Sequence, residues 1–115
     1  MVFARGADDK KLQRQLAAYC EAENGFEERD MTLVVIYEEG DSFAGERPLT
    51  ARDCDALRDR FRRNRKGAAD GFAALLVGKD GGVKRTSYEP LDAADLFEQI
   101  DRMPMRRREL RERGR

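Results

Sequence analysis

Residues 72–89 read FAALLVGKDGGVKRTSYE and set the topology of the chain. The apolar run 72–77 has the length of a buried strand, and Asp80-Gly81 in the segment after it supplies the positive φ angles of a tight hairpin turn. Residues 83–89 alternate in polarity, and Pro90 ends them, which is typical of an edge strand. These residues therefore predict an antiparallel hairpin whose second strand lies at the edge of a sheet.

Two further strands precede the hairpin. Residues 31–37 read MTLVVIY, a continuous apolar run rich in β-branched residues, which indicates a strand buried on both faces. Residues 2–4 read VFA and predict a short buried strand, followed by a turn at Arg5-Gly6-Ala7. Residues 38–48 contain two Gly, one Pro and several acidic residues, so we expect a loop there.

Three helices are predicted between and after these strands. Each begins with a side chain that can accept hydrogen bonds from free backbone N–H groups. These caps are Asp8 or Asp9, Thr50 in a capping box with Asp53, and Asp92. The first helix is expected to end near Asn24-Gly25, the second to fade into residues 62–67, and the third to stop at Pro104. Apolar residues recur at helical spacing: Leu12, Leu16, Tyr19 and Cys20; Cys54, Leu57 and Phe61; Leu96, Phe97, Ile100 and Met103.

The order of elements is strand, helix, strand, helix, strand, strand, helix. Two strands joined by a helix should run parallel through a right-handed crossover, while the hairpin adds two antiparallel strands. We therefore predict an α/β fold, βαβαββα, with a mixed four-stranded sheet and helices on both faces. The chain of 115 residues suits one domain, over residues 1–104, with an Arg-rich C-terminal tail at residues 105–115.

The composition indicates a folded domain and excludes several kinds of catalytic and metal site. Apolar and charged residues each make up 40%, and 23 basic residues balance 23 acidic ones, unlike the high net charge of disordered chains. The chain contains no His, which excludes Ser–His–Asp and Cys–His arrangements. Its two Cys are too few for a Cys-only zinc site. The N-terminal residues lack the pattern of a signal peptide, and no apolar run is long enough to span a membrane.

The order βαβαββα is the minimal thioredoxin-like topology. Three stretches also resemble one family: VFA at 2–4 with Asp8-Asp9 beyond it, LLVGKDGGVK at 75–84, and IDRMPMRRRE at 100–109. They look like the bacterial domain-of-unknown-function family 4174. Vertebrate extracellular-matrix proteins of the sushi-repeat and coiled-coil-domain-containing type carry similar domains. The chain departs in its first strand, which lies inside the sheet in this topology yet has almost no residues before Val2, so either the chain is trimmed or this strand is unusually short.

The resemblance implies a thioredoxin-like or peroxiredoxin-like fold of unknown activity, in an exported or periplasmic domain as well as a cytoplasmic one. Thioredoxin chemistry needs Cys-x-x-Cys at the start of the first helix, where the helix N-terminus stabilises the thiolate. Residues 5–11 read RGADDKK and contain no Cys. Residues 69–71 read ADG, without the Pro that thioredoxins carry before the third strand. We therefore expect neither dithiol oxidoreductase nor peroxidase activity.

The two cysteines have a structural interpretation. Cys20 and Cys54 lie on the apolar faces of the first two predicted helices, which this topology places on opposite faces of the sheet. That separation exceeds the short Cα distance that a disulfide requires. We expect both thiols to be free, buried core residues.

Charged residues that follow the first two strands form a candidate site. They are Arg5, Asp8, Asp9, Glu38, Glu39 and Asp41. Open α/β sheets bind ligands at the carboxyl ends of their strands, so these side chains could converge there in an enzyme of unknown type. Carboxylates there could hold Mg²⁺ or Ca²⁺. The simpler interpretation, which we favour, is that Asp8 and Asp9 cap a helix while the others solvate a loop, so no metal or other cofactor is predicted.

Arginines cluster at the end of the second helix and in the tail, where Arg106, Arg107 and Arg108 are candidate anion-binding residues. Phosphate binding needs only clustered cations, but no aromatic residues are interleaved and the pI is about 6.4, so nucleic acid is disfavoured. We predict a non-catalytic binding or scaffold module whose partner is a protein or a small ligand. A homodimer is compatible with the opposite charge balance of the two halves. The enzyme and the anion- or nucleic-acid-binding module remain the alternatives, and no membrane insertion is expected.

Overall fold

The computed structural model describes residues 1–38 and 42–103. This part of the chain contains six short strands and five helices. The strands are β1 Val2–Ala4, β2 Val34–Tyr37, β3 Phe43–Ala44, β4 Arg47–Pro48, β5 Ala73–Val77 and β6 Val83–Ser87. The helices are α1 Lys10–Glu21, α2 Glu23–Glu28, α3 Ala51–Arg60, α4 Arg62–Arg65 and α5 Ala93–Asp101. No helix in these two ranges is both long and apolar enough to cross a membrane.

The strands form one mixed sheet in the order β4-β3-β2-β1-β5-β6. β1 pairs with β2 in parallel, and β5 and β6 form the predicted antiparallel hairpin, with β6 at an edge. The α/β class is confirmed, but the prediction of four strands is wrong because the sheet has six. The expected loop at residues 38–48 contains β3 and β4, which add a short hairpin to the edge of β2. Gly45 makes its turn with a φ of 59°, a conformation that favours glycine.

Helices cover both faces of the sheet because alternate strand residues point to opposite sides. In β1, Val2 and Ala4 join the core beneath α1, α2 and α5, while Phe3 joins the core beneath α3. The first core includes Leu12, Phe26, Val35, Phe72, Leu76, Leu96 and Ile100. The second includes Ile36, Cys54, Phe61, Ala73 and Leu75. Both faces are therefore apolar, as the continuous apolar strands predict.

The predicted helix caps are present. The Asp9 carboxylate accepts a hydrogen bond from the Leu12 N–H at 3.0 Å, so Asp9 is the residue that caps α1. Thr50 and Asp53 form a reciprocal capping box at α3. The Asp92 carboxylate caps α5. The predicted stop at Pro104 lies outside the described residues.

Two helix ends differ from the prediction. Asn24-Gly25 does not end a helix but lies within α2, because the buried Phe26 stacks on Tyr19 with ring centroids 4.7 Å apart. At Gly25 a Cβ would lie 2.6 Å from the Phe97 ring, so glycine permits this close packing. The second predicted helix is divided in two, because the buried Phe61 lies between α3 and the short helix α4. Tertiary packing outweighs the local signals at both positions.

The Gln15 side chain pairs with the buried backbone of Leu91 as a residue of a neighbouring strand would. Its side-chain Nε2 donates to the Leu91 carbonyl at 3.1 Å, and its Oε1 accepts from the Leu91 N–H at 2.7 Å. Both residues are buried, so each polar group is satisfied by the other. The link fixes the start of α5 against α1.

Candidate functional site

A groove of about 670 Å³ opens beside the first residue of the chain. Its walls come from the residues around the start of β2, the end of β5 and the end of α5. Met31, Leu76 and Met103 belong to the core beneath α1 and α5, whereas Val34 and Val77 pack against the core beneath α3. The groove is therefore lined from both faces of the sheet and crosses its plane.

At the groove, β1 pairs with β2 on one side and with β5 on the other. Val2 pairs with Ala74 of β5, so Met1 is level with Leu75, and β5 runs on to Val77. The Met1 amine donates to the Leu75 carbonyl at 2.8 Å, and the Leu75 N–H donates to the Met1 carbonyl at 2.7 Å. On the other side, the register places Met1 level with Val34, the first residue of β2.

Val77 directs its backbone polar groups to the side of β5 on which β1 lies. The N–H and C=O of one strand residue point to the same side, and successive residues alternate. Leu75 exchanges hydrogen bonds with Met1, so Val77 also faces that side.

The Met1 amine lies at the inner end of the groove. Burial lowers the pKa of this amine from its ordinary value of 8.0 to about 6. In the part of the chain that the structure describes, no carboxylate forms an ion pair with it. A cation at this position lacks the neighbouring charge that would offset its desolvation.

Charged side chains at the mouth of the groove are paired with one another or with residues nearby. The pairs are Arg29–Asp101 at 2.9 Å, Lys79–Asp30 at 3.3 Å and Lys84–Asp80 at 3.0 Å. The Arg29 guanidinium also stacks 4.1 Å from the centre of the Phe97 ring. The mouth is therefore polar and close to neutral, and the interior is apolar apart from the Met1 amine.

Sequence relationships identify the family of this chain. The family described as a domain of unknown function, DUF4174, matches residues 1–109. The chain belongs to the DUF4174 family. The match confirms the resemblance carried by the hairpin and by the stretch at 100–109. No curated protein and no solved structure matches the chain significantly.

In this DUF4174 domain, the charged residues that were predicted as a site at the carboxyl ends of the first two strands have different surroundings. Asp9 caps α1, and Arg5 is exposed and packs its side chain against Gly71. Asp8 and Glu38 are both exposed. The Glu38 N–H donates to the carbonyl of the last β1 residue at 3.0 Å, so Arg5 and Glu38 leave neighbouring strands at the same edge. Within the described residues, no hydrogen bond or ion pair joins the side chains of these four to one another.

An ion-pair cluster that the sequence did not predict lies near this edge. Lys11 Nζ lies 2.6 Å from Asp70 and 2.8 Å from Glu89. The hydrogen bond that Lys11 donates to Asp70, followed by the one it donates to Glu89, raises the pKa of Lys11, and Lys11 in turn lowers the pKa of Asp70. The cluster joins α1 to the chain before β5 and after β6. Across the described ranges, no three His, Cys, Asp or Glu residues are grouped closely enough to hold a metal; Glu39 and Asp41 lie outside those ranges.

Arginines at the end of α3 and in α4 bind backbone and aromatic groups of the domain itself. Arg58 donates to the Tyr37 carbonyl at the end of β2. Arg65 donates to the Arg58 carbonyl at 2.8 Å and lies 4.8 Å from the Phe3 ring centre. Burial, followed by repulsion from the neighbouring arginines, lowers the pKa of Arg65. Arg106, Arg107 and Arg108 lie outside the described residues.

The cysteines differ from each other. Cys54 is buried, as predicted, but the prediction for Cys20 is wrong because Cys20 is exposed. Leu12 and Gln15 are the buried residues of α1, so its buried face is centred away from Cys20, which turns towards solvent. The apolar face predicted from the sequence included Cys20 and did not include the polar Gln15.

The groove-lining residues were not predicted from the sequence either. They come from β2, β5, the end of α5 and the segments beside them, which only the register of the sheet brings together.

Proposed function

We propose that this DUF4174 domain is a non-catalytic binding module whose ligand site is the groove between β2 and β5. The observation that carries the proposal is the apolar groove of about 670 Å³ that crosses the sheet beside Met1. Ligand sites are typically concave and mostly apolar, with a few polar groups that orient the ligand. Here the walls supply the apolar area, and the charged pairs at the mouth supply polar groups.

We also infer a thioredoxin-like fold that lacks the redox site. In support, β2, β1, β5 and β6 are adjacent, the first pair is parallel, and the hairpin is antiparallel. β3 and β4 are then an addition at the edge of β2. The turn after β1 carries Asp8 and Asp9 where a redox domain would need Cys, and both cysteines of the chain lie elsewhere.

The fluorescence of the apolar dye 8-anilinonaphthalene-1-sulfonate tests the ligand site. We expect the folded domain to bind the dye and Met31→Glu to weaken binding at least about tenfold, because the new carboxylate lies in the apolar wall. Leu49→Glu is the matched control, since Leu49 is also half-buried but packs against the other core, away from the groove. Circular dichroism establishes that both variants are folded.

Equal dye binding by the two variants would contradict the assignment of the groove as the ligand site. So would the absence of dye binding by the folded parent protein. Weaker binding confined to Met31→Glu supports it.

A further inference from the structure

We propose that Met31 and Met103 are oxidation sites that regulate the groove. A hydroperoxide converts their thioethers to sulfoxides, and the oxidised groove holds an apolar ligand less tightly. The inference rests on the proposed function, which makes the groove the ligand site, and it adds a chemical means of regulating that site.

The methionines of this chain are concentrated at the groove. The sequence contains four, and Met1, Met31 and Met103 all line the groove. The fourth, Met105, lies outside the described residues. Methionine is flexible and polarisable, so it forms adaptable apolar walls at binding surfaces. Its sulfur is also the atom of such a wall that an oxidant can change.

Met31 and Met103 are held in place beside the ends of two helices. The Met31 N–H donates to a carbonyl of α2 at 3.0 Å, and the Met103 N–H donates to a carbonyl of α5 at 2.9 Å. Arg29, the residue after α2, donates to both carboxylate oxygens of Asp101, the last residue of α5, at 3.0 and 2.9 Å. The two methionines therefore lie beside helix ends that are joined to each other.

Both methionine side chains are accessible in the folded domain. Each is half-buried and packs against the core beneath α1, α2 and α5, and each also lines the groove. Hydrogen peroxide is a small, water-soluble oxidant that can enter a groove open to solvent. We therefore expect both sulfurs to react without unfolding of the chain.

The reaction adds one oxygen atom to each sulfur. A lone pair of the thioether attacks one peroxide oxygen, so an S–O bond forms and the O–O bond breaks. The sulfur is oxidised by two electrons and the peroxide is reduced. The proton of the transferred oxygen passes to the leaving oxygen, which departs as water, or as an alcohol from an alkyl hydroperoxide. Methionine sulfoxide reductases reverse the change.

A sulfoxide makes the wall of the groove polar. Its oxygen accepts hydrogen bonds from water, and that water must be removed when an apolar ligand binds. The cations at the mouth, Arg29 and Lys79, already pair with carboxylates. Oxidation of the two sulfurs therefore weakens the binding of an apolar ligand.

Dye binding after peroxide treatment tests the inference. The parent protein is treated with hydrogen peroxide, catalase removes the oxidant, and the affinity for 8-anilinonaphthalene-1-sulfonate is measured. We expect the oxidised protein to bind the dye at least about fivefold more weakly, with an unchanged circular dichroism spectrum.

The matched control is the double variant Met31→Leu/Met103→Leu, because Leu is apolar, similar in size to Met and without sulfur. The variant keeps the other two methionines and both cysteines, so it also controls for their oxidation. Its dye affinity should change by less than about twofold on the same peroxide treatment.

Peptide mapping by mass spectrometry locates the added oxygen. The extent of oxidation at Met31 and Met103 should follow the loss of dye affinity. Methionine sulfoxide reductases should then remove both oxygens from the oxidised parent and restore its affinity. This reversal tests the inference without any substitution.

The outcomes separate this inference from the proposed function. If the parent binds the dye equally well when both methionines carry oxygen, the oxidation inference fails and the proposed function stands. Equal loss of affinity in the double variant would assign the effect to other residues and overturn the inference. So would the absence of added oxygen at both positions, or loss of the folded spectrum on oxidation. Absence of dye binding by the untreated parent contradicts the proposed function, and the inference falls with it.

Discussion

Lowering the pH from about 8 to about 6 should destabilise a polypeptide that begins at Met1, because its α-amine is buried when the chain is folded. The pKa of this amine falls from 8.0 to about 6 on folding, so the unfolded chain binds more protons throughout the interval. The free energy of unfolding therefore rises with pH here. Stability is present above the unfolded pKa and is lost as the pH falls through the folded one.

The magnitude follows from the shift of the pKa. Two pKa units correspond to about 2.7 kcal/mol over the whole titration. About 2 kcal/mol of this should be lost between pH 8 and pH 6. The chain contains no His, the side chain that ordinarily titrates in this interval, so the amine should dominate the change.

Urea unfolding followed by circular dichroism, at constant ionic strength and at several pH values in this interval, measures the effect. The control is protein acetylated only at the α-amine, with intact mass used to verify that Met1 is retained. Its free energy of unfolding should vary by less than about 0.5 kcal/mol over the same interval. The reasoning is refuted if the unmodified protein shows no dependence on pH, or if the acetylated protein shows the same dependence.

Three substitutions or reactions test other contacts. Gln15→Leu should lower the free energy of unfolding by about 2 kcal/mol in urea, because it leaves the buried N–H and C=O of Leu91 without partners; a neutral effect would contradict that role. Gly25→Ala should lower the free energy of unfolding by about 1–3 kcal/mol in the same assay, because the new Cβ would lie 2.6 Å from the Phe97 ring. Ala favours helix more than Gly does, so a gain in stability would refute the contact. Cys20 should react with a disulfide reagent on native protein at least about a hundredfold faster than the other thiol, with Cys20→Ser assigning the fast phase; a slow reaction would show that it is buried.

Local signals predicted much of the fold. The hairpin turn at Asp80-Gly81 and the capping box at Thr50 depend on residues two or three positions apart, so the sequence alone carries them. The apolar run at residues 31–37 likewise predicted β2, which lies within it. These elements form the parallel pair and the hairpin, and they were predicted in the correct order along the chain.

Contacts between distant residues decide what was missed. β3 and β4 are two residues each and exist because β3 pairs with β2 and β4 pairs with β3, which their own composition does not indicate. α2 forms in spite of Asn24-Gly25 because Phe26 packs into the core. The groove is lined by residues of β2, β5 and the end of α5, so no single segment of sequence reveals it. The charged residues after β1 stay a predicted site.

The two outermost strands of the described sheet are poorly suited to recruit another chain. β4 is short and exposed and ends at Pro48, which has no N–H to offer, and β6 carries Lys84 and Arg85 beside an irregular register. Lateral growth of the sheet into fibrils or stacked oligomers is therefore disfavoured at both of its flanks. Concentrated samples should consequently stay dispersed, which is the condition that quantitative titrations of this protein require.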